Sequence, residues 1–296
     1  MNLFLLIFGL SLLILGAEII IRGSISFGKK LRVSLFAIGV VIVAGGTSLP
    51  ELASSINAVV SNHPDLAVGA VIGSNIANLI LVMAATSFLI PISKINQNQI
   101  NQAWINIGLA VILITMSFFV IPFNFVFGIL AIGLLFFIMY IQVKQGSLDV
   151  SDVEEKGDYS LILSIIFIVL GIILLIYGSD LFVDSAINIA TQLNIPEAII
   201  GISLVAFGTS LPELVVGILS AIRRKVDFAL GNVLGSNIYN VLGVLGVSSF
   251  FGNFSIPTVI GYIDLLFMLF VTVMILGFMI FLKRIGRTYG SIGLIL

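Results

Sequence analysis

Apolar residues run along this chain in long unbroken blocks, and polar residues are confined to short stretches between them. A block of roughly 20 apolar residues is long enough to cross the hydrocarbon core of a bilayer as a helix. Such helices are expected near Leu3–Ile21, Val33–Val60, Leu66–Ile90, Ala103–Val120, Phe123–Val143, Leu161–Ile189, Ala198–Ile222, Phe228–Phe250 and Val259–Leu282. The first block carries no basic leader, so it reads as a retained span. The last, Tyr289–Leu296, is apolar but too short to span, so it reads either as the start of an incomplete tenth helix or as a terminal stub. The expected fold is an all-α, polytopic membrane protein of about ten transmembrane helices in the lipid bilayer.

The polar stretches differ in charge. Arg22, Lys29, Lys30 and Arg32 follow the first span, and Lys94 follows the third. Lys144 and Lys156 follow the fifth, Arg223, Arg224 and Lys225 the seventh, and Lys283, Arg284 and Arg287 the ninth. Every basic residue thus lies after an odd-numbered span. The positive-inside rule puts those loops in the cytoplasm of a plasma-membrane protein and the N-terminus outside.

Composition agrees. Apolar residues make up 59% of the chain and charged residues 9%, with mean hydropathy +1.26. A soluble surface needs about a quarter of its residues charged. A net charge of −1 gives no basic face for nucleic acid, and the absence of cysteine removes disulfides, thiolate metal sites and thiol nucleophiles. No His or Lys lies within a span to act as a base for serine chemistry, so the chain does not read as an enzyme, and no cofactor is called for.

Two blocks of sequence recur at one spacing. Ala44-Gly45-Gly46-Thr47-Ser48-Leu49-Pro50-Glu51-Leu52 returns as Ala206-Phe207-Gly208-Thr209-Ser210-Leu211-Pro212-Glu213-Leu214. Gly73-Ser74-Asn75-Ile76-Ala77-Asn78 returns, 162 positions on, as Gly235-Ser236-Asn237-Ile238-Tyr239-Asn240. The same spacing pairs Glu18 with Asp180. The loops do not share their charge: Ser61-Asn62-His63 is neutral, whereas Arg223-Arg224-Lys225 is basic. An odd number of spans per copy sends the second copy into the membrane from the opposite face. The expected organisation is therefore two inverted five-helix repeats, residues 1–143 and 160–296, joined by a cytoplasmic linker over 144–159.

Pro50 and Pro212 are the prolines deep within spans, and both lie in the repeated block. Proline removes one N–H and clashes with the carbonyl four residues back, here that of Gly46 or Gly208. Each helix is expected to break, leaving carbonyl oxygens open at membrane depth. Each break carries a carboxylate, Glu51 or Glu213, and a charged group at midplane costs about 2.5–3.5 kcal/mol on insertion scales. Thr47, Ser48, Thr209 and Ser210 add hydroxyls. Ser74 with Asn78, and Ser236 with Asn240, add one helix face from each copy. This all-oxygen set suits a hard cation such as Ca²⁺, which takes about 6–8 oxygens, and offers nothing that favours zinc or copper.

Plainer readings stand beside this one. Ser48 and Ser210, each three residues before a glutamate, match a capping box that restarts the helix. Gly73 and Gly235 match small-residue packing faces. His63 reads as an incidental loop residue and Trp104 as an interface anchor. Glu18 and Asp180 lie nearer span ends, where they are either interfacial or on an ion path.

The paired Gly-Thr-Ser-Leu-Pro-Glu and Gly-Ser-Asn-x-x-Asn blocks resemble the two α-repeats of the cation/Ca²⁺ exchanger superfamily, most closely its compact prokaryotic Na⁺/Ca²⁺ exchangers. The resemblance covers nearly the whole chain. It implies a secondary antiporter that exchanges Na⁺ for Ca²⁺, its substrates, and works as a monomer. It implies ion ligands from Thr47, Ser48, Glu51, Ser74, Asn78, Thr209, Ser210, Glu213, Ser236 and Asn240, with the carbonyls of Ala44 and Ala206. It also implies that the first and sixth spans slide as gates. Asn240 departs from the aspartate of K⁺-dependent and some archaeal members, so exchange here is expected to need no K⁺. An H⁺/Ca²⁺ antiporter using the same glutamates is the alternative, because a carboxylate also carries a proton.

Overall fold

A computed structural model describes residues 2–93, 95–146, 159–193, 195, 206–257 and 262–295. Lys94, most of the 144–159 linker, Asn194 and the expected start of the seventh span lie outside the described residues.

Helices dominate: α1 (Asn2–Leu31), α2 (Leu35–Thr47), α3 (Leu49–Val60), α4 (Pro64–Leu89), α5 (Gln97–Phe118) and α6 (Phe125–Gly146) form the first half. The second half holds α7 (Leu161–Gln192), α8 (Ala206–Thr209), α9 (Leu211–Ile222), α10 (Val226–Ser248), α11 (Tyr262–Phe281) and α12 (Arg287–Ile295). Among the described residues, seven helices are long and apolar enough to cross a membrane, and the bent pair α2–α3 makes an eighth when counted as one span. The single sheet described is small, β1 (Ile92–Ser93) against β2 (Arg284–Ile285), antiparallel with Ile92 opposite Ile285.

Several helices outrun their apolar blocks. α1 continues through Arg22, Ser24, Lys29 and Lys30 to Leu31, where Arg32 turns left-handed with φ of 56°. α5 starts at Gln97 rather than Ala103, because Asn96 and Gln99 form a reciprocal capping box with bonds of 2.9 Å. Both satisfy backbone donors that would otherwise fray the first turn.

α1 and α7 pack antiparallel at close range. Gly9 faces Gly178, Gly16 faces Gly171 and Gly23 faces Ser164, so residue numbers rise on one helix as they fall on the other. A Cβ at Gly16 would sit 2.9 Å from the Gly171 carbonyl oxygen. Close backbone approach of this kind is how helices associate where no hydrophobic drive exists between them.

The remaining helices form a bundle around α10. Of its most apolar window, 94% is buried, against 33% for α1 and 28% for α7. Two turns repeat across the halves. α3 ends with Asn62 at φ 62° and His63 N–H donating to the Ala58 carbonyl at 2.8 Å. α9 ends with Arg224 at φ 59° and Lys225 N–H donating to Ser220, also at 2.8 Å. Both are Schellman caps, and each starts the next helix within two residues.

Three stretches widen into π-helix: Gly39–Val43 in α2, Asn78–Val82 in α4 and Tyr239–Val244 in α10. Widening misaligns backbone pairs, and two tyrosines fill the gaps. The Tyr239 hydroxyl donates to the Val41 carbonyl at 2.7 Å, and the Tyr289 hydroxyl to that of Leu79 at 2.6 Å. Tyr289 belongs to α12, too short to span alone, which lies against α4 through Gly290 and Gly293.

Candidate cation site

The two breaks form as the prolines require. α2 and α3 meet at Ser48 with a bend of 41°, and Pro50 occupies the first turn of α3, where its missing N–H costs nothing. Pro212 sits likewise in the first turn of α9. Neither Ser48 nor Ser210 caps the helix that follows with its side chain. The capping-box reading of these serines is therefore corrected: the Ser210 hydroxyl lies 3.2 Å from that of Ser74, and the Ser48 hydroxyl has no partner.

The open carbonyl expected at Gly208 is corrected, because Ser179 of α7 donates to it at 2.8 Å. At the first break the Ser48 N–H donates to the Ala44 carbonyl at 3.1 Å. Other oxygens beside the breaks go unpaired.

They lie on side chains. Glu51, Asn78, Glu213 and Asn240 are fully buried, and Ser48 is 3% exposed. Ser48 Oγ, Glu51 Oε2, Asn78 Oδ1, Asn240 Oδ1 and both carboxylate oxygens of Glu213 have no hydrogen-bond partner. Buried polar atoms are paired in the great majority of cases, and each exception needs a cause. Here six oxygens go unpaired in one region, three of carboxylates, two of amides and one of a hydroxyl, while the Asn232 amide nitrogen beside Thr47 is unpaired as well. Buried anions without partners call for a cation.

The hydrogen bonds that do form tie the halves together. Ser74 Oγ donates to Glu51 Oε1 at 3.2 Å and lies 3.2 Å from Ser210 Oγ. Asn240 Nδ2 donates to Ser74 Oγ at 3.2 Å. Thr47 Oγ1 lies 3.5 Å from Ser236 Oγ, and its one proton has two acceptors in reach, Asn232 Oδ1 at 3.3 Å and the Ala44 carbonyl at 3.4 Å. Thus Ser74, Ser210, Glu51 and Asn240 form one bonded group, and Thr47, Ser236 and Asn232 form a second, in the cluster around the breaks. Thr209 is half-buried and makes no side-chain bond to the cluster among the described residues. Ala206 opens α8. The small-residue reading holds for Gly235, where a Cβ would meet Val40 and Ala44 at 2.8 Å, and fails for Gly73, which faces open space.

The comparisons with known proteins decide the family. The profile of the family described as sodium/calcium exchanger protein matches residues 1–144 and 163–296. An uncharacterized membrane protein of Methanocaldococcus jannaschii is 37% identical over 245 residues, covering 82% of this chain and 80% of that protein. The sodium/calcium exchanger MaX1 of Methanosarcina acetivorans is 31% identical, covering 86% and 84%. The chain belongs to the sodium/calcium exchanger protein family.

Its fold is that of a solved exchanger. The sodium-calcium exchanger NCX_Mj, soaked with Na⁺ and Sr²⁺, superposes with a TM-score of 0.86 at 31% identity over 99% of this chain and 95% of that one. A putative antiporter, CaxA of Alkalimonas amylolytica, is 33% identical over 81% of this chain and 78% of that one.

Sequence reasoning passed over four exchanger residues that shape the cluster. Asn232 accepts from Thr47, and Ser179 occupies the Gly208 carbonyl. Asn75 and Asn237 bond to the asparagines of the opposite copy. The last two stand inside the repeated Gly-Ser-Asn-x-x-Asn block, so the repeat itself was the signal.

Proposed function

We propose that this protein is a Na⁺/Ca²⁺ antiporter that carries its ions by alternating access through the cluster of buried oxygens. The carrying observation is the set of six unpaired oxygens, five of them on two carboxylates and two asparagine carbonyls in equivalent positions of the two copies. Acceptors with no donor suit a cation whose hydration shell they replace. The proposed ligands are Thr47, Ser48, Glu51, Ser74 and Asn78 with Thr209, Ser210, Glu213, Ser236 and Asn240, and the carbonyls of Ala44 and Ala206.

Two formal negative charges balance one Ca²⁺. Three Na⁺ would leave one positive charge, which feels about 2.3 kcal/mol per 100 mV across the membrane. The proposed architecture is two inverted repeats of five helices, 1–143 and 160–296, around a cytoplasmic linker. The antiparallel α1–α7 pair and the matched Schellman turns support it, because inverted copies bring equivalent first helices together head to tail. The N-terminus is outside and the basic loops cytoplasmic. A cysteine at Asn62 then labels from outside, and one at Gln145 only after permeabilisation.

The deciding experiment is ⁴⁵Ca²⁺ uptake into proteoliposomes driven by an outward Na⁺ gradient, and separately by a pH gradient. Uptake with Na⁺ alone is expected, with no requirement for K⁺. Uptake driven by the pH gradient and indifferent to Na⁺ would replace this reading with H⁺/Ca²⁺ antiport.

A further inference from the structure

Four asparagines meet where α4 and α10 cross. Asn75 Nδ2 donates to the backbone carbonyl of Asn237 at 3.4 Å, and Asn237 Nδ2 donates to that of Asn75 at 3.2 Å. Asn240 Nδ2 donates to Asn75 Oδ1 at 3.0 Å, and Asn78 Nδ2 donates to Asn237 Oδ1 at 3.1 Å. All four are buried, from 0 to 3% exposed. The pattern is reciprocal: the first asparagine of each motif holds the second asparagine of the other copy.

The chain of bonds starts from a group that has one option. A backbone carbonyl only accepts, so the amide of Asn75 must turn its nitrogen to Asn237 and its oxygen the other way. That oxygen faces Asn240, which must therefore answer with its own nitrogen. One side of the Asn240 amide is thus spoken for, and its Oδ1 is left on the other side without a partner. The same steps run from the Asn75 carbonyl through Asn237 to Asn78, whose Oδ1 is also unpartnered. A free asparagine amide in this place would be able to turn over and present two N–H donors to a cation.

We propose that Asn75 and Asn237 are positioning residues that lock the amides of Asn240 and Asn78 with oxygen, not nitrogen, toward the ions. They touch no ion themselves. They convert two symmetric, reversible amides into fixed acceptors, and each does so across the boundary between the copies. The inference rests on the cation-site reading above and adds to it a cause for ligand polarity.

The test is a double-substitution cycle read as the half-saturating Ca²⁺ concentration of Na⁺-driven uptake in proteoliposomes. Asn75→Leu keeps the side chain's size and removes the lock. It is expected to raise half-saturating Ca²⁺ about tenfold in a protein with asparagine at 240, since a tenfold change is what one lost polar contact to an ion typically gives. Asn240→Asp supplies a carboxylate, which presents an oxygen whichever way it turns. On that background Asn75→Leu is expected to change half-saturation less than about threefold. Asn75→Asp, which keeps the acceptor for Asn240, is expected not to raise it. If Asn75→Leu is not recovered from membranes, Asn75→Thr takes its place in the cycle.

An equal shift on both backgrounds would mean Asn75 acts through packing alone and would overturn the inference, as would no shift on either. Glu51→Gln is the control that separates the two readings. A shift in Glu51→Gln with none in Asn75→Leu overturns the lock and leaves the cation site standing. Unchanged half-saturation in Glu51→Gln overturns both together.

Discussion

The two halves carry the same motif but do not hold it alike. In the first, Ser74 donates to Glu51 and joins Ser210 and Asn240, so one hydroxyl knits three partners. In the second, the equivalent Ser236 lies 3.5 Å from Thr47, and both hydroxyls border Glu213 without a bond as close as that of Ser74 to Glu51. The scaffolds differ as well. The helix bearing Ser236 and Asn240 is buried over 94% of its apolar window, the one bearing Ser74 and Asn78 over 56%. Where the first copy has Ala77 the second has Tyr239, whose ring abuts Gly45 and whose hydroxyl reaches α2. The repeat set the same oxygens in both halves; the contacts around them differ, with Ser74 bonded to Glu51 and no hydroxyl held as closely to Glu213.

The largest expected effect breaks both halves at once. Glu51→Gln and Glu213→Gln should each lower Na⁺-driven Ca²⁺ uptake by about two orders of magnitude or more, a loss of over 2.7 kcal/mol. They should part company without ions. Glu213→Gln relieves an unpartnered buried carboxylate and should raise the midpoint of thermal unfolding in ion-free detergent, whereas Glu51→Gln also disturbs the Ser74 bond and should raise it less. Equal midpoints would erase the asymmetry.

The serines sharpen the same contrast. Ser74→Ala removes the node that joins Glu51, Ser210 and Asn240, and should raise half-saturating Ca²⁺ about tenfold. Ser236→Ala loses one long contact and should raise it about threefold or less. The measurement is uptake in proteoliposomes across a range of Ca²⁺. The reverse order would show that the stronger coupling lies in the second half.

The contrast bears on what a sequence can display. Pro50 and Pro212 announced the breaks because proline's missing N–H acts on its own helix, and the one spacing between the blocks announced the repeat. Features set by contact between distant segments were not legible. Nothing in Gly-Ser-Asn-x-x-Asn says that its first asparagine faces the other copy, since that depends on how α4 and α10 cross. Nor does a sequence pattern mark the π stretches, whose strays are paired by tyrosines from elsewhere in the chain. Ser48 looked like a cap because its spacing to Glu51 is right; a glutamate drawn to Ser74 does not reach back to close that box.

Those tyrosines offer a mid-sized test. Tyr289→Phe leaves the Leu79 carbonyl, one residue past Asn78, without its donor, and Tyr239→Phe does the same to Val41. Each should cost about 1–3 kcal/mol of stability. Tyr289→Phe should in addition weaken Ca²⁺ half-saturation about twofold to threefold, because the stretch it pins begins at Asn78, one of the proposed ligands. Equal functional effects of the two variants would detach the π stretch from the site.

The smallest effect lies at the rim, where Glu18 and its repeat partner Asp180 diverge. Glu18 of α1 pairs with Arg22 one turn on and with Arg223 at the end of α9, tying the outer helix pair to the bundle. Asp180 of α7 makes no ion pair among the described residues. Glu18 keeps 19% of its side chain exposed and Arg223 37%, so solvent and salt weaken the bond, and pairs of this kind are worth about 0–1 kcal/mol. If α1 and α7 move against the bundle during exchange, the bond must break in one direction of travel. Glu18→Gln should then change the maximal exchange rate about twofold to fivefold, with half-saturation unmoved, and the change should shrink as ionic strength rises. Asp180→Asn should leave the rate as it is at every salt concentration. A rate in Glu18→Gln equal to wild type at low salt would show that the outer pair moves without straining this contact, and an effect of Asp180→Asn as large as that of Glu18→Gln would show that the two copies are alike at the rim after all.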